Sequence, residues 1–158
     1  GYVGNCRNED RYNGYLDTLK RNNLDVIPEY VVETNQTEKE GYEAMEQLLK
    51  SDDCPTGIYC ANDITAVGML KYLGRCRNLY FTPSIIASDD IEEAQYTKPM
   101  LTTVGLPKEE MGKFALYLLL DRMKGGHSGV VRMELSGHLM IRNSCSHVSE
   151  STWSDYCI

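Results

Sequence analysis

Four short apolar runs punctuate the chain, each bounded by polar or turn-forming residues: Tyr2–Val3, Ile27–Val32, Gly57–Cys60 and Ser84–Ala87. Taking the later starts near 28, 56 and 84, the repeat is 28 residues. A strand of about five residues, a helix of about twelve to fifteen and two loops use up that length, which is the rhythm of βα units. Amphipathic patterns fill the gaps. Tyr12, Tyr15, Leu16 and Leu19 fall at i, i+3, i+4 and i+7, while Ile64, Val67, Leu70 and Leu73 step by three. Tyr42, Met45, Leu48 and Leu49 mark a further helical face, opened by the capping box Thr37-x-x-Glu40. Asn62 and Asp63 are good caps for the helix that follows them. Strands joined by helices in this order run parallel with right-handed crossovers. The expectation is an α/β fold, an open and mostly parallel sheet flanked by helices.

The rhythm stops after Ala94. Pro99–Val104 reads as extended, because a residue before proline is pushed out of the helical region. Pro107 suits the first turn of a helix running to about Lys124, with Gly125-Gly126 as its stop. Val130–Leu135 and Leu139–Asn143 read as strands, with a hairpin around Ser136-Gly137. Residues 146–158 are polar and irregular and read as a loosely held tail.

Composition narrows the function. The 158 residues are about one domain's worth, 42% apolar and 25% charged, with a formal net charge of −7. Affinity for phosphate backbones comes from gathered Lys and Arg, and this stretch has no basic cluster, so it is not itself a nucleic-acid binder. The longest apolar run, Phe114–Leu120, is far short of the ~20 residues a bilayer helix needs. The N-terminus carries no signal-peptide pattern. It also lacks an initiator Met, and Gly1-Tyr2-Val3-Gly4 reads like the middle of a buried strand, so the chain is expected to be a fragment. Six cysteines form no Cys-x-x-Cys pair and no zinc spacing with His127, His138 or His147. They suit free thiols in a reducing, cytoplasmic compartment, and neither a metal nor another cofactor is expected. Asn35-Gln36-Thr37 is a glycosylation sequon, meaningful only in a secreted protein.

Ligands of an open parallel sheet bind beyond the carboxyl ends of its strands. Those ends are followed here by Asn5–Arg11, Glu33–Thr37, Ala61-Asn62-Asp63 and Ser88-Asp89-Asp90. The rim therefore offers Asn, Arg, Gln and Asp, a set suited to a polyol, since a carboxylate accepts two vicinal hydroxyls and a guanidinium donates in a fork. The same residues have plainer readings, with Asn62 capping its helix and Arg11 pairing on the surface with Glu9 or Asp10. Enzyme chemistry finds less support. There is no glycine-rich phosphate loop and no Gly-x-Ser-x-Gly elbow, and the histidines fall late, away from the rim. Asp89 and Asp90, adjacent on one loop, do not flank a scissile bond from opposite sides. The chain reads as a binder and not an enzyme.

An ordered string of motifs resembles the LacI/GalR family of bacterial transcriptional regulators. It comprises Gly1-Tyr2-Val3-Gly4, Arg11-x-x-Gly14-Tyr15, Gly41-Tyr42-Glu43-Ala44-Met45 and Ala61-Asn62-Asp63 with Ala66 and Gly68. Ile85–Ile91, Pro99–Val104 and Leu139–Ser144 complete it. The resemblance covers about residues 1–144.

It implies a core of the periplasmic-binding-protein type I fold, with two α/β lobes joined by three crossovers and an effector between them. Residues 1–98 resemble the second lobe, and 99–129 a crossover and a helix returned to the first. Residues 130–145 resemble the returning strands, followed by a tail over 146–158. An N-terminal helix-turn-helix domain outside this chain is implied for DNA binding, and a homodimer for the whole. The family's effector-contacting Arg, Asn and Asp match Arg11, Asn62 and Asp89, and Gln36 and Asn13 complete the candidate set. At Gln36 and at Lys108 this chain departs from members that place an aromatic ring there. That shifts the expected effector from a stacked ring toward a polar or charged molecule such as a sugar or sugar phosphate. The alternative on the same fold is a secreted sugar-binding protein serving a transporter, which a signal peptide on a longer precursor would mark.

Overall fold

The computed structural model describes residues 1–7, 9–51, 54–76, 79 and 82–147. One six-stranded sheet organises them, built from β1 (Tyr2–Gly4), β2 (Val31–Glu33), β3 (Gly57–Cys60), β4 (Ser84–Asp89), β5 (Thr102–Gly105) and β6 (His138–Met140). The spatial order is β2-β1-β3-β4-β5-β6; the first five strands run parallel and β6 is antiparallel to β5. Since β1 leads to β2 on one side and lies against β3 on the other, the winding reverses between β1 and β3. Such a switch point opens a crevice at the carboxyl edge of the sheet.

The helices are α1 (Asp10–Arg21), α2 (Glu38–Lys50), α3 (Asp63–Leu73) and α4 (Lys108–Met123). α2 and α3 cover one sheet face, where Met45, Leu48 and Met69 meet Val3, Ile58 and Ile85 in the core. Two glycines set how close these helices lie. A Cβ on Gly41 would run into the Thr65 carbonyl, and one on Gly68 into the Glu38 carbonyl, so the helices touch backbone to backbone. α1 packs on the other face, where Tyr12 and Tyr15 lie 5.0 and 5.6 Å from the buried Tyr2 ring.

The sequence expectations for α2, β3 and α4 match the observed elements to within a residue or two, and Thr37 caps α2 by accepting from the Glu40 N–H at 3.3 Å. Four expectations need correction. The Ile27–Val32 run is a strand only from Val31, because Pro28, with fixed φ and no N–H, opens a 3-10 turn over Pro28–Tyr30. Val130–Leu135 forms no strand and no hairpin around Ser136-Gly137; β6 pairs with β5 alone, and an extended segment without a pairing strand keeps its backbone in water. Val130 is 97% exposed. Asp63 is not a cap but a buried carboxylate, described below. The tail's start is held rather than loose, since Ser146 N–H donates to Ser84 Oγ at 3.1 Å; residues 148–158 lie outside the described residues.

Candidate functional site

At the carboxyl edge the first turn of α1 aims Arg11 back across the switch point at the end of β4. Its Nη2 lies 3.3 Å from Asp89 Oδ1 and its Nη1 3.4 Å from Glu9 Oε1. Both contacts are long and neither is bidentate, so the guanidinium fork is shared and its best geometry unused. Asp89 is half-buried, and burial pushes its carboxyl above the ordinary carboxylate range, with Arg11 and Lys108 opposing and the Asp63 charge adding to the rise. A carboxylate in that condition gains from every hydrogen-bond donor brought to it.

Asn62 stands as the N-cap of α3, its Oδ1 accepting from the Thr65 N–H at 3.1 Å, as the plainer reading of the sequence had it. Its Nδ2 also donates to the Gln36 carbonyl at 3.1 Å, tying the loop after β2 to the loop after β3. A side-chain amide carries two N–H donors. Gln36 meets this contact with its backbone, held at a left-handed φ of 62°. The structure thus brings Arg11 to Asp89 and Asn62 to Gln36. Asn13 joins neither pair: it is exposed on α1, about 200° around the helix from Arg11.

Asp63, next to Asn62 in the chain, anchors β5 and the segment after Asp89, a role the sequence concealed behind its capping position. Fully buried, it accepts the Thr103 hydroxyl at 2.6 Å on Oδ1 and the Ile91 N–H at 3.0 Å on Oδ2, two residues beyond Asp89. The adjoining Thr102-Thr103 was the available signal, since buried threonines on a strand need a polar partner. Beside the rim, the Tyr59 and Ser88 hydroxyls lie 3.0 Å apart on neighbouring strands. Asp89 and Asp90 both hold positive φ, 136° and 49°, each a conformation that costs a non-glycine residue about 1–3 kcal/mol. Lys108, at the start of α4, donates from Nζ to the Asp90 carbonyl at 2.9 Å, and Arg142 Nη2 pairs with Asp90 Oδ1 at 2.6 Å.

These side chains can hold hydroxyls from several sides. Among the described residues no cluster of His, Cys, Asp and Glu is arranged to hold a metal ion, and no helix is long and apolar enough to cross a membrane. The groups that this edge presents to a polar ligand are one carboxylate, one guanidinium and one amide.

Residues 1–145 match the periplasmic binding protein-like domain family. The chain is 37% identical over 136 residues to the HTH-type transcriptional repressor CytR of Escherichia coli strain K12, covering 85% of this chain and 40% of that protein. It is 32% identical over 142 residues to the repressor PurR of Haemophilus influenzae strain PittGG, covering 87% and 42%. A LacI family transcriptional regulator from Enterococcus faecium, solved with bound ribose, superposes with a TM-score of 0.76 at 26% identity, over 90% of this chain and 54% of that one. The chain therefore spans well under half the length of these two repressors.

Proposed function

Since the chain belongs to the periplasmic binding protein-like domain family, we propose that it is the effector-binding portion of a LacI-type transcriptional repressor. Residues 1–98 form the second lobe of the core, and 99–129 a crossover and a helix that packs on the first lobe. Residues 130–145 are the segment that returns to this lobe, with β6 as its one strand, followed by the tail. The whole regulator is a cytoplasmic homodimer that reaches DNA through a helix-turn-helix outside this chain, and it performs no catalysis. The effector is a small, hydroxyl-rich molecule, a sugar or sugar derivative, seated between the lobes.

One observation carries this reading: the half-buried Asp89 carboxylate, faced by Arg11 at 3.3 Å, at the carboxyl edge of the parallel strands. In this arrangement Asp89 accepts two ligand hydroxyls, Arg11 donates its fork to a ring or hydroxyl oxygen, and Asn62 gives the N–H not used by Gln36. Gln36 contributes the loop that closes beside Asn62, and Asn13 is the weakest of the candidates because it faces away from the others. Ligand binding shifts the relative position of the lobes and so the DNA affinity, a coupling between two sites. That the named repressors are relatives, and that the E. faecium regulator was solved with ribose, supports the reading.

The test is a thermal-shift screen of the longer protein against sugars, sugar phosphates and nucleosides, with Asp89→Ala in parallel. A ligand at 100 times its Kd stabilises by about 2.7 kcal/mol. The expected result is a hit that Asp89→Ala loses; a hit that Asp89→Ala retains unchanged removes Asp89 from the site.

A further inference from the structure

Asp89 ends β4 and Asp90 follows it, and the two face different partners. Asp89 faces Arg11 and, on the reading above, the effector. Asp90 is bound at every polar group it owns, and always to segments that follow β4. Its N–H donates to Thr103 Oγ1 at 3.4 Å, its carbonyl accepts from Lys108 Nζ at 2.9 Å, and its carboxylate takes Arg142 Nη2 at 2.6 Å. Arg142 in turn donates from Nη1 to the Leu101 carbonyl and from its backbone N–H to Thr102 Oγ1, both at 2.9 Å. β5, the first turn of α4 and the stretch after β6 are thus gathered on one residue.

From this geometry we infer that Asp90 is a positioning residue, which fixes Asp89 for the effector and passes a change at Asp89 to the segments on either side of β5. The inference rests on the proposed effector role of Asp89. Two consecutive residues at positive φ leave the backbone little freedom to absorb a movement locally. A displacement of the Asp89 carboxylate therefore turns the peptide that follows it, whose N–H makes the Thr103 contact, and with it moves Asp90, whose carbonyl and carboxylate hold Lys108 and Arg142. The Arg142–Asp90 pair is the stiffest of these, being charge-assisted and mostly buried, with side chains 12% and 23% exposed.

The test needs no ligand. Asp89→Asn serves as the change at the effector carboxylate, and amide exchange is read by NMR at Asn143 and Ser144, whose N–H groups both donate to the Met100 carbonyl. Asp90→Asn breaks the ion pair with Arg142 while keeping a residue that tolerates left-handed φ. The expected result is at least a threefold change in exchange at Asn143 and Ser144 on Asp89→Asn, absent when Asp89→Asn is made in the Asp90→Asn background. The amides of Met45 and Met69, in α2 and α3, stay within twofold throughout. Three results overturn the inference: no change at 143–144, a change that survives Asp90→Asn, or an equal change at Met45 and Met69. A failed ligand screen leaves this readout untouched, so the two claims fall separately.

Discussion

Helices α3 and α4 are both apolar around most of their circumference, yet they meet opposite fates. In α3, Thr65, Ala66, Val67, Met69, Leu70 and Leu73 are all buried. In α4, which carries Met111, Phe114 and the run Leu116–Leu120, no residue is buried. Leu116 is 57% exposed where Leu70 is 4%. An all-round apolar helix is the signature of a fully covered position, so the sequences of both call for cover. The lobe formed by β1–β4, α2 and α3 supplies it to α3 from within the chain, and on the proposed architecture the first lobe supplies it to α4. The difference is therefore one of neighbours and not of intrinsic helix chemistry.

The contrast is broken most severely at Gly68. Gly68→Val drives a side chain into the Glu38 carbonyl, and at least ~3 kcal/mol of stability should be lost, read as a collapse of the urea midpoint. A midpoint within experimental scatter of the parent would show that α2 and α3 are not seated backbone to backbone. Next comes Asp63→Ala, which leaves the buried Thr103 hydroxyl and the half-buried Ile91 N–H without their acceptor; a loss of about 2–3 kcal/mol is expected by chemical denaturation. Leu116→Lys on α4 should change the unfolding free energy of this chain by less than ~0.5 kcal/mol. A loss of several times that would mean that α4 is already covered in solution.

The smallest effect has the opposite sign. The folded-state pKa of Asp89 is raised, chiefly by burial, so the folded chain holds that proton more tightly than the unfolded one. Its contribution is then lost as pH rises from the ordinary carboxylate value through the raised one, and stays lost above it. Asp89→Asn should be slightly more stable than the parent at pH 7 and indistinguishable below about pH 3. Paired thermal melts across that range would show the sign, and a destabilised variant at pH 7 would mean that the Arg11 contact outweighs the burial.

The sequence spells out much of the lobe because its determinants are local. The 28-residue spacing, the Thr37 and Asn62 caps and the helical faces each depend on residues a few positions apart, and β3, α2 and α3 follow from them. The rim was legible for a related reason: strand ends in a parallel sheet share one edge, so the strand boundaries put Arg11, Asn62 and Asp89 among its candidates, but not that Arg11 would meet Asp89 while Asn62 turned to Gln36. What stayed hidden depends on distant partners. Asp63 reads as a cap until Thr103, forty residues on, takes its oxygen. The Asp90–Arg142 pair spans fifty-two residues. Val130–Leu135 has strand residues but no neighbouring strand to pair with, and composition does not report neighbours. Asn13 lay close in sequence to Arg11 but on another side of α1, which spacing alone could have warned of.

The central claim, that α3 is covered from within the chain and α4 is not, is tested most directly by truncating one leucine on each. Leu70→Ala and Leu119→Ala remove the same atoms from side chains 4% and 56% exposed. Urea unfolding should show a loss of about 2–5 kcal/mol for Leu70→Ala and under ~0.5 kcal/mol for Leu119→Ala. Equal losses at the two positions would contradict it.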